Sequence, residues 1–218
     1  MPEETAALSG RRGQAARNDE VILAAAREVF LADPKAPISA VADRAGVGIS
    51  ALYRRYASKD DLLRTLCRDG LTRFVTLAEE AAGETDSWAA FTGFLRGVVD
   101  ADVHALTVKL AGTFTPTPDM RQLAERSAEV ADALVQRAQA DGRLRSDVVT
   151  EDIGLLLEAC SAIRVPDPGR STELRRRHLA ILLAGLAPGG DPPLPGPPPA
   201  AGEMGWRWKQ REVRVSAR

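Results

Sequence analysis

The stretch PISAVADRAGVGISALYRRYASKDDLL, from Pro37 to Leu63, decides the fold of this chain. It reads as a short helix, a glycine-containing turn, a second short helix rich in hydroxyls and arginines, and the start of a third helix. A helix-turn-helix needs a small residue where the helices cross, a turn residue that tolerates positive φ, and an apolar anchor in the second helix. Ala42, Gly46 and Leu52 stand at those three places. The stretch therefore predicts a helix-turn-helix.

The second helix leaves outward-facing side chains of the kinds that bind DNA. Phosphate oxygens need hydrogen-bond donors, and an arginine can bind both major-groove acceptors of a guanine. Five residues on or just after this helix supply such donors: Ser50, Tyr53, Arg54, Arg55 and Lys59. Charged residues are usually ordinary solvated surface, but here the same helix hides its apolar face in the helix-turn-helix register. We therefore interpret this surface as DNA-binding.

The same stretch resembles the DNA-binding domain of the TetR family of transcriptional regulators. The resemblance begins in a helix from Val21 to Phe30. It continues around the turn at these positions: Ala45, Gly46, Val47, Gly48, Leu52, Tyr53, Arg54, Tyr56, Ser58, Lys59, Leu62 and Leu63. It covers about Arg17 to Leu66, and the remainder of the chain matches only in its helical layout.

This resemblance implies roles for individual residues. Tyr53 and Lys59 take the family's phosphate-contact positions, while Ser50, Ala51 and Arg55 take positions that face the major groove. Ile49 stands where many relatives carry a polar or basic residue, and Ala51 where many carry threonine. Because neither side chain can donate a hydrogen bond, the operator sequence is not predicted.

Composition and charge fit a soluble DNA-binding protein. Of the 218 residues, 27% are charged and 44% hydrophobic, which is ordinary for a globular chain. Between Gly10 and Arg68 basic residues outnumber acidic ones by eleven to seven, so the basic excess lies at the predicted DNA-binding end. No apolar run is long enough to span a membrane.

The cysteines and histidines suggest no metal site, disulfide or cofactor. Cys67 and Cys160 lack a CxxC spacing and follow no signal peptide, which indicates reduced thiols in a cytoplasmic protein. The two histidines are too scattered for a metal site, even together with both cysteines.

Apolar periodicity predicts about nine helices and no sheet, so the fold class is all-α. We expect four parts: a mobile arm over residues 1–16, a three-helix helix-turn-helix domain over 17–66, a larger helical ligand-binding and dimerisation domain over 67–188, and a proline-rich disordered tail over 189–218. Four helix starts have an expected N-cap: Ser58, the pair Asp86-Ser87, Thr117 and Thr150.

The larger domain contains candidates for an effector cavity. They are Phe74, Trp88, Phe91, Phe94, His104 and Phe114. Aromatic residues at helical spacing are more often plain core, so that reading stays open beside the cavity.

The last two predicted helices, around residues 151–164 and 168–186, have more apolar surface than one small domain needs to cover. TetR-family dimers form from their last two long helices, so the resemblance implies a homodimer through these segments.

The resemblance implies a transcriptional regulator, most simply a repressor. Such a repressor binds a palindromic double-stranded DNA operator and responds to a small-molecule effector. Two alternatives remain. One is a ligand-independent or architectural DNA-binding protein, whose helical domain only dimerises. The other is a helical enzyme using Cys160 or His104, although neither has a visible base and orienting partner, so no catalytic residue is assigned. Activation in place of repression also stays open.

Overall fold

The computed structural model describes residues 3–189, 192–200 and 202–203, with side chains described from residue 18 onward. Its described part contains no strand, which confirms the all-α prediction. The helices found there are α1 (Glu3–Ala32), α2 (Ile38–Ala45), α3 (Ile49–Arg55), α4 (Lys59–Ala82), α5 (Ser87–Asp100), α6 (Val103–Leu110), α7 (Pro118–Ala140), α8 (Thr150–Ala162) and α9 (Pro168–Leu186). The chain divides into two compact units, Met1–Leu66 and Cys67–Arg218.

The first helix is longer than the sequence pattern predicted. Residues 3–16, expected as an arm without periodicity, are helical from Glu3. Four alanines, two glutamates and two arginines favour a helix here and no proline interrupts it, although Gly10 and Gly13 oppose it. The prediction missed this because it relied on apolar periodicity, which the segment lacks. The mobility of the segment stays a prediction.

The first unit is a three-helix packing completed by the start of α4. In this unit α1 packs along α2, and α2 packs on α3. Its largest buried side chains include Phe30, Leu52, Leu62, Leu63 and Leu66. Gly46 ends α2 with a φ of 66°, a left-handed conformation that suits glycine. The Val47 N–H then donates to the Ala42 carbonyl at 3.0 Å, which fixes the turn into α3.

Two of the four predicted helix caps are confirmed by their hydrogen bonds. The Ser58 hydroxyl accepts from the Asp61 N–H at 3.1 Å at the start of α4. The Asp86 carboxylate accepts from the Ala89 N–H at 2.8 Å at the start of α5. Each bond satisfies one of the N–H groups that a helix start leaves without an intrahelical partner.

The other two caps differ from the prediction. Thr117 occupies the predicted N-cap position of α7, but its hydroxyl makes no capping bond with a backbone N–H of the helix. Thr150 is the first residue of α8 and not its cap, because Val149 holds the N-cap position. The Thr150 hydroxyl donates to the Asp132 carboxylate at 2.7 Å. Asp152 accepts from the Val149 N–H at 2.9 Å at this helix start.

The second unit is built around α5. This helix packs against α7, α8 and α9, and it buries eight of its residues. Phe94 lies edge-on to Phe74 of α4, with ring centroids 5.0 Å apart. Leu95 and Val98 extend the same core toward the later helices. The core of this unit thus consists mainly of apolar side chains from α4, α5, α7, α8 and α9.

The chain after α9 is attached to the loop between α7 and α8. The Asp147 carboxylate accepts from the Leu194 N–H at 2.9 Å, and Arg145 donates to the Pro192 carbonyl at 3.2 Å. Residues 192–200 form no helix or strand. The rest of the tail predicted to be disordered lies outside the described residues.

Candidate DNA-binding surface and effector cavity

Helix α3 is held to its unit by one side only. Leu52 is fully buried and Tyr56, just after the helix, is nearly so. Other positions around the helix are open: Tyr53 is 49% exposed and Ile49 is 40% exposed. A helix anchored in this way presents one face that is fixed in position and free of protein contacts. That is the requirement for a helix that enters a DNA groove.

The six residues assigned to DNA differ in accessibility. Ser50, Tyr53, Arg54 and Arg55 are exposed, whereas Ala51 and Lys59 are half-buried. All except Lys59 lie on α3. The structure therefore gathers five of them on one short helix and places the sixth at the start of α4.

Arg55 is already engaged within the unit. Its guanidinium forms an ion pair and a hydrogen bond with the carboxylate of Asp19 in α1. This hydrogen bond, together with the negative charge of Asp19, raises the pKa of Arg55 above its ordinary value. The side chain of Asp19 is 19% exposed. Its carboxylate therefore lies close to the surface of α1, and the side chain of Arg55 extends over it. A base or phosphate that binds Arg55 has to compete with this carboxylate.

Lys59 faces inward more than the sequence pattern indicated. Its Nζ donates to the Ala36 carbonyl at 2.6 Å and to the Pro34 carbonyl at 3.2 Å. It also lies 5.1 Å from the centre of the Phe30 ring, within cation–π range. Burial lowers the pKa of Lys59 below its ordinary value. The ammonium thus joins the α1–α2 loop to the start of α4, with one donor still available to a phosphate.

Sequence reasoning missed Asp19 as a member of this surface. The residue lies 36 positions before Arg55, on a helix whose pattern indicated only a packing role. The helical pattern of α1 could place Asp19 on a partly exposed side of that helix, but it could not indicate that Arg55 is its partner. Only the folding of α1, α2 and α3 into one unit brings the two side chains together.

The second unit contains a cavity of about 280 Å³ between α4, α6, α7 and α8. Small and apolar side chains make up most of its walls. The lining residues are Gly70, Leu71, Phe74, Val103, His104, Thr107, Ala124, Ser127, Ala128, Ala131, Thr150, Ile153, Gly154 and Leu157. Its size approaches the lower end of the range for pockets that hold small molecules.

Two of the six aromatic and histidine candidates line this cavity. These are Phe74 and His104. Phe91, Phe94 and Phe114 are fully buried in the unit, and Trp88 lies against Phe91 with ring centroids 5.7 Å apart. The structure therefore does not bring these four to the cavity wall. The small residues that create the space, such as Gly70 and Gly154, were not among the candidates, although glycine inside a helix is a usable signal.

A partly buried ion-pair cluster lies between the α5–α6 turn and the α8–α9 segment. Asp102 accepts from Arg164 at 2.9 Å and pairs with Arg175 at 3.1 Å. Arg175 is nearly buried, and its Nε donates to the Ile163 carbonyl at 3.2 Å. Asp102 has a φ of 50°, a left-handed conformation that aspartate tolerates better than most residues. The cluster fixes the start of α6, which lines the cavity.

Within the described residues no group of histidine, cysteine and acidic side chains has the arrangement of a metal site. None of the helices there is both long and apolar enough to cross a membrane.

Two family models match the chain. The model of the bacterial regulatory proteins of the tetR family matches residues 22–66, and the model of the C-terminal domain of SbtR-like transcriptional regulators matches residues 86–188. Together the two matches cover more than half of the chain. A search of curated protein sequences gave no significant match.

Solved structures show the same fold. The chain is similar to the TetR transcriptional regulator SCO0520 from Streptomyces coelicolor, with 25% identity, a TM-score of 0.56, and coverage of 78% of this chain and 99% of that one. PfmR, a TetR family transcriptional regulator from Thermus thermophilus, gives 23% identity and a TM-score of 0.54 over 77% and 99%. The TetR-like regulator LfrR from Mycobacterium smegmatis, solved in complex with proflavine, gives 21% identity and a TM-score of 0.54 over 77% and 96%.

Proposed function

Because this chain belongs to the TetR family of bacterial transcriptional regulators, we propose that it is a ligand-responsive repressor that binds a palindromic operator as a homodimer. The observation that carries the proposal is the exposed face of α3. This helix is anchored by Leu52 and presents Ser50, Tyr53 and Arg55 outward. Tyr53 contacts a phosphate, and Arg55 binds a base edge once it leaves Asp19.

The homodimer forms through α8 and α9. These helices pack on each other, and each also carries an exposed large apolar residue: Leu155 is 38% exposed and Ile181 is 61% exposed. A second copy of the chain covers both residues by two-fold symmetry. One helix as short as α3 buries little surface on DNA, and a dimer doubles the number of base contacts. The palindromic operator follows from the same symmetry.

The cavity in the second unit receives the effector, and α4 connects it to the DNA-binding unit. Leu62 and Leu63 in the first half of α4 lie in the core of the first unit. Gly70, Leu71 and Phe74, later in the same helix, line the cavity. A ligand that shifts the second half of α4 shifts the first half as well. Ligand and operator then weaken each other's binding by the same factor. The bound proflavine of the similar regulator LfrR supports a small-molecule role for this domain.

The test is a gel-shift measurement with the full chain and DNA selected from random sequence, at moderate and raised salt. We expect selective binding that weakens with salt. The double variant Tyr53→Ala, Arg55→Ala should lose affinity on the order of 100-fold, because it removes a phosphate contact and a base contact. Arg96→Ala, which removes an exposed arginine of α5, is the matched control and should bind as the wild type does.

Two results would contradict the proposal. If the double variant binds selected DNA as tightly as Arg96→Ala, α3 is not the reading surface. If wild-type binding shows no sequence preference, the chain is an architectural DNA-binding protein and not an operator-specific repressor.

A further inference from the structure

We propose that the effector of this protein is an uncharged, mainly apolar molecule that carries a hydrogen-bond donor such as a hydroxyl group. The inference rests on the proposed function in one respect, namely that the molecule in the cavity acts as an effector. The chemical class of this molecule follows from the cavity walls alone.

The walls of the cavity favour an uncharged ligand. None of the fourteen lining residues is Asp, Glu, Lys or Arg, and His104 is the one titratable side chain among them. A carboxylate or ammonium bound here would lose its hydration without gaining an opposite charge, which is strongly unfavourable. The apolar walls formed by Leu71, Phe74, Ile153 and Leu157 instead favour an apolar body.

Three hydroxyls line the cavity, those of Thr107, Ser127 and Thr150, and the last two already donate their protons within the protein. Ser127 donates its proton to the Ala124 carbonyl at 2.7 Å, and Thr150 donates to the Asp132 carboxylate at 2.7 Å. Each hydroxyl has a single proton, so both oxygens can offer the cavity only acceptor lone pairs. They fit a ligand that donates. The Asp132 carboxylate behind Thr150 adds negative potential, which disfavours an anion further.

The cavity has room for a small molecule and is open to solvent. A volume of about 280 Å³ holds on the order of ten heavy atoms, judged from the ~30 Å³ that one water occupies in the liquid. Ala124 and Ala128 on α7 line the cavity and are also exposed, which gives a ligand a route from solvent. A side chain built on Gly154 of α8 would meet no atom within 4 Å, so part of the space borders this glycine.

The test compares three probes of equal chain length by calorimetric titration of the full chain: 1-octanol, octanoate and octylammonium. We expect 1-octanol to bind at least about tenfold more tightly than either charged probe, because each charge would be buried without a partner.

Filling the cavity shows whether binding occurs there. Gly154→Leu places a side chain in the cavity. Gly154 lies inside α8, and glycine has the lowest helix propensity after proline, so leucine should not destabilise the helix and the fold is retained. It should abolish 1-octanol binding. Gly93→Leu is the matched control, since Gly93 is an exposed position of α5 with no neighbour within 4 Å and lies outside the cavity. A second variant, Ser127→Ala, should lower the affinity for 1-octanol about tenfold, because it removes a hydrogen-bond acceptor from the wall.

The outcomes separate this inference from the proposed function. Binding of octanoate or octylammonium as tight as that of 1-octanol, lost in Gly154→Leu, overturns the chemical class and leaves ligand-responsive repression standing. Absence of any cavity-dependent binding, or 1-octanol binding unchanged in Gly154→Leu, also overturns the inference. Cavity-dependent 1-octanol binding that does not alter DNA affinity in the gel shift upholds the chemical class and contradicts the effector role.

Discussion

The carboxylate of Asp19 in α1 and the guanidinium of Arg55 in α3 form an ion pair across 36 positions of sequence. The pair holds the side chain of a base-reading candidate against its own protein. If Arg55 reads a base as proposed, DNA and Asp19 compete for the same guanidinium. This competition predicts that Asp19 weakens DNA binding.

Asp19→Asn should raise the affinity for DNA about two- to fivefold, which is the range expected for a partly exposed ion pair. Gel-shift titration at low and high salt measures the change. Glu28→Gln is the control, because Glu28 of α1 pairs with Arg44 of α2 and its loss removes an equal charge from the same unit. An equal gain in both variants would mean that only net charge matters and that Arg55 is not restrained.

Lys59 should stabilise the first unit in addition to any contact with phosphate. Lys59→Met keeps much of the aliphatic stem but loses two charge-assisted bonds to the Ala36 and Pro34 carbonyls. We expect a loss of about 1–3 kcal/mol in the free energy of unfolding, measured by urea denaturation. Lys35 lies at an exposed position of the α1–α2 loop, between the two residues whose carbonyls bind Lys59. Lys35→Met should leave the free energy of unfolding within about 0.5 kcal/mol of wild type. If both variants are equally stable, the carbonyl contacts contribute nothing.

Among the acidic residues of the second unit, Asp102 should be the one whose replacement lowers the free energy of unfolding most. Asp102→Gly accepts the positive φ without strain, so its effect isolates the loss of the carboxylate. Arg175 is then left buried without its counter-charge, and we expect a loss of about 3–5 kcal/mol in the free energy of unfolding. Asp100→Ala breaks the exposed pair with Arg176 and should cost less than about 1 kcal/mol. Similar losses in thermal denaturation of the two variants would refute a special role for the buried pair.

Asp147 should give the protein a pH-dependent stability. The hydrogen bonds from Arg145 and from the Leu194 N–H hold the pKa of Asp147 well below its ordinary value of 3.8. A carboxyl whose pKa is lower in the folded state adds stability above about pH 4, and this contribution disappears as the pH falls through the folded-state value. The melting temperature of Asp147→Asn should therefore lie a few degrees below wild type at pH 7, with the gap closing toward pH 2.

Asp141→Asn, an exposed acid at the start of the same loop, is the control and should follow the wild-type pH curve. A chain that ends at Pro188 lacks the Leu194 donor, so Asp147→Asn should have a smaller effect in that background. A gap between Asp147→Asn and wild type that persists unchanged at pH 2 would exclude the carboxylate as its cause.

Ile181 should lie at the centre of the dimer interface. Ile181→Asp places a charge where the second copy packs, and we expect a monomer by light scattering at concentrations where the wild type is dimeric. Val21→Asp replaces an exposed apolar residue of α1 and should not change the mass. A dimeric Ile181→Asp protein would move the interface away from this part of α9.

The sequence by itself determined those features that depend on neighbours in the chain. Gly46 with its positive φ, the Ser58 cap and the buried Leu52 follow from local conformation and helical periodicity, which is why the helix-turn-helix and the all-α fold were predictable. The helical residues 3–16 were missed because propensity, and not apolar periodicity, extends α1 there. Tertiary structure decided what depends on distance in space. The Asp19–Arg55 pair and the inward Lys59 join residues far apart in sequence. The cavity is the space left where small residues of four helices meet, and such a void arises only when the helices pack.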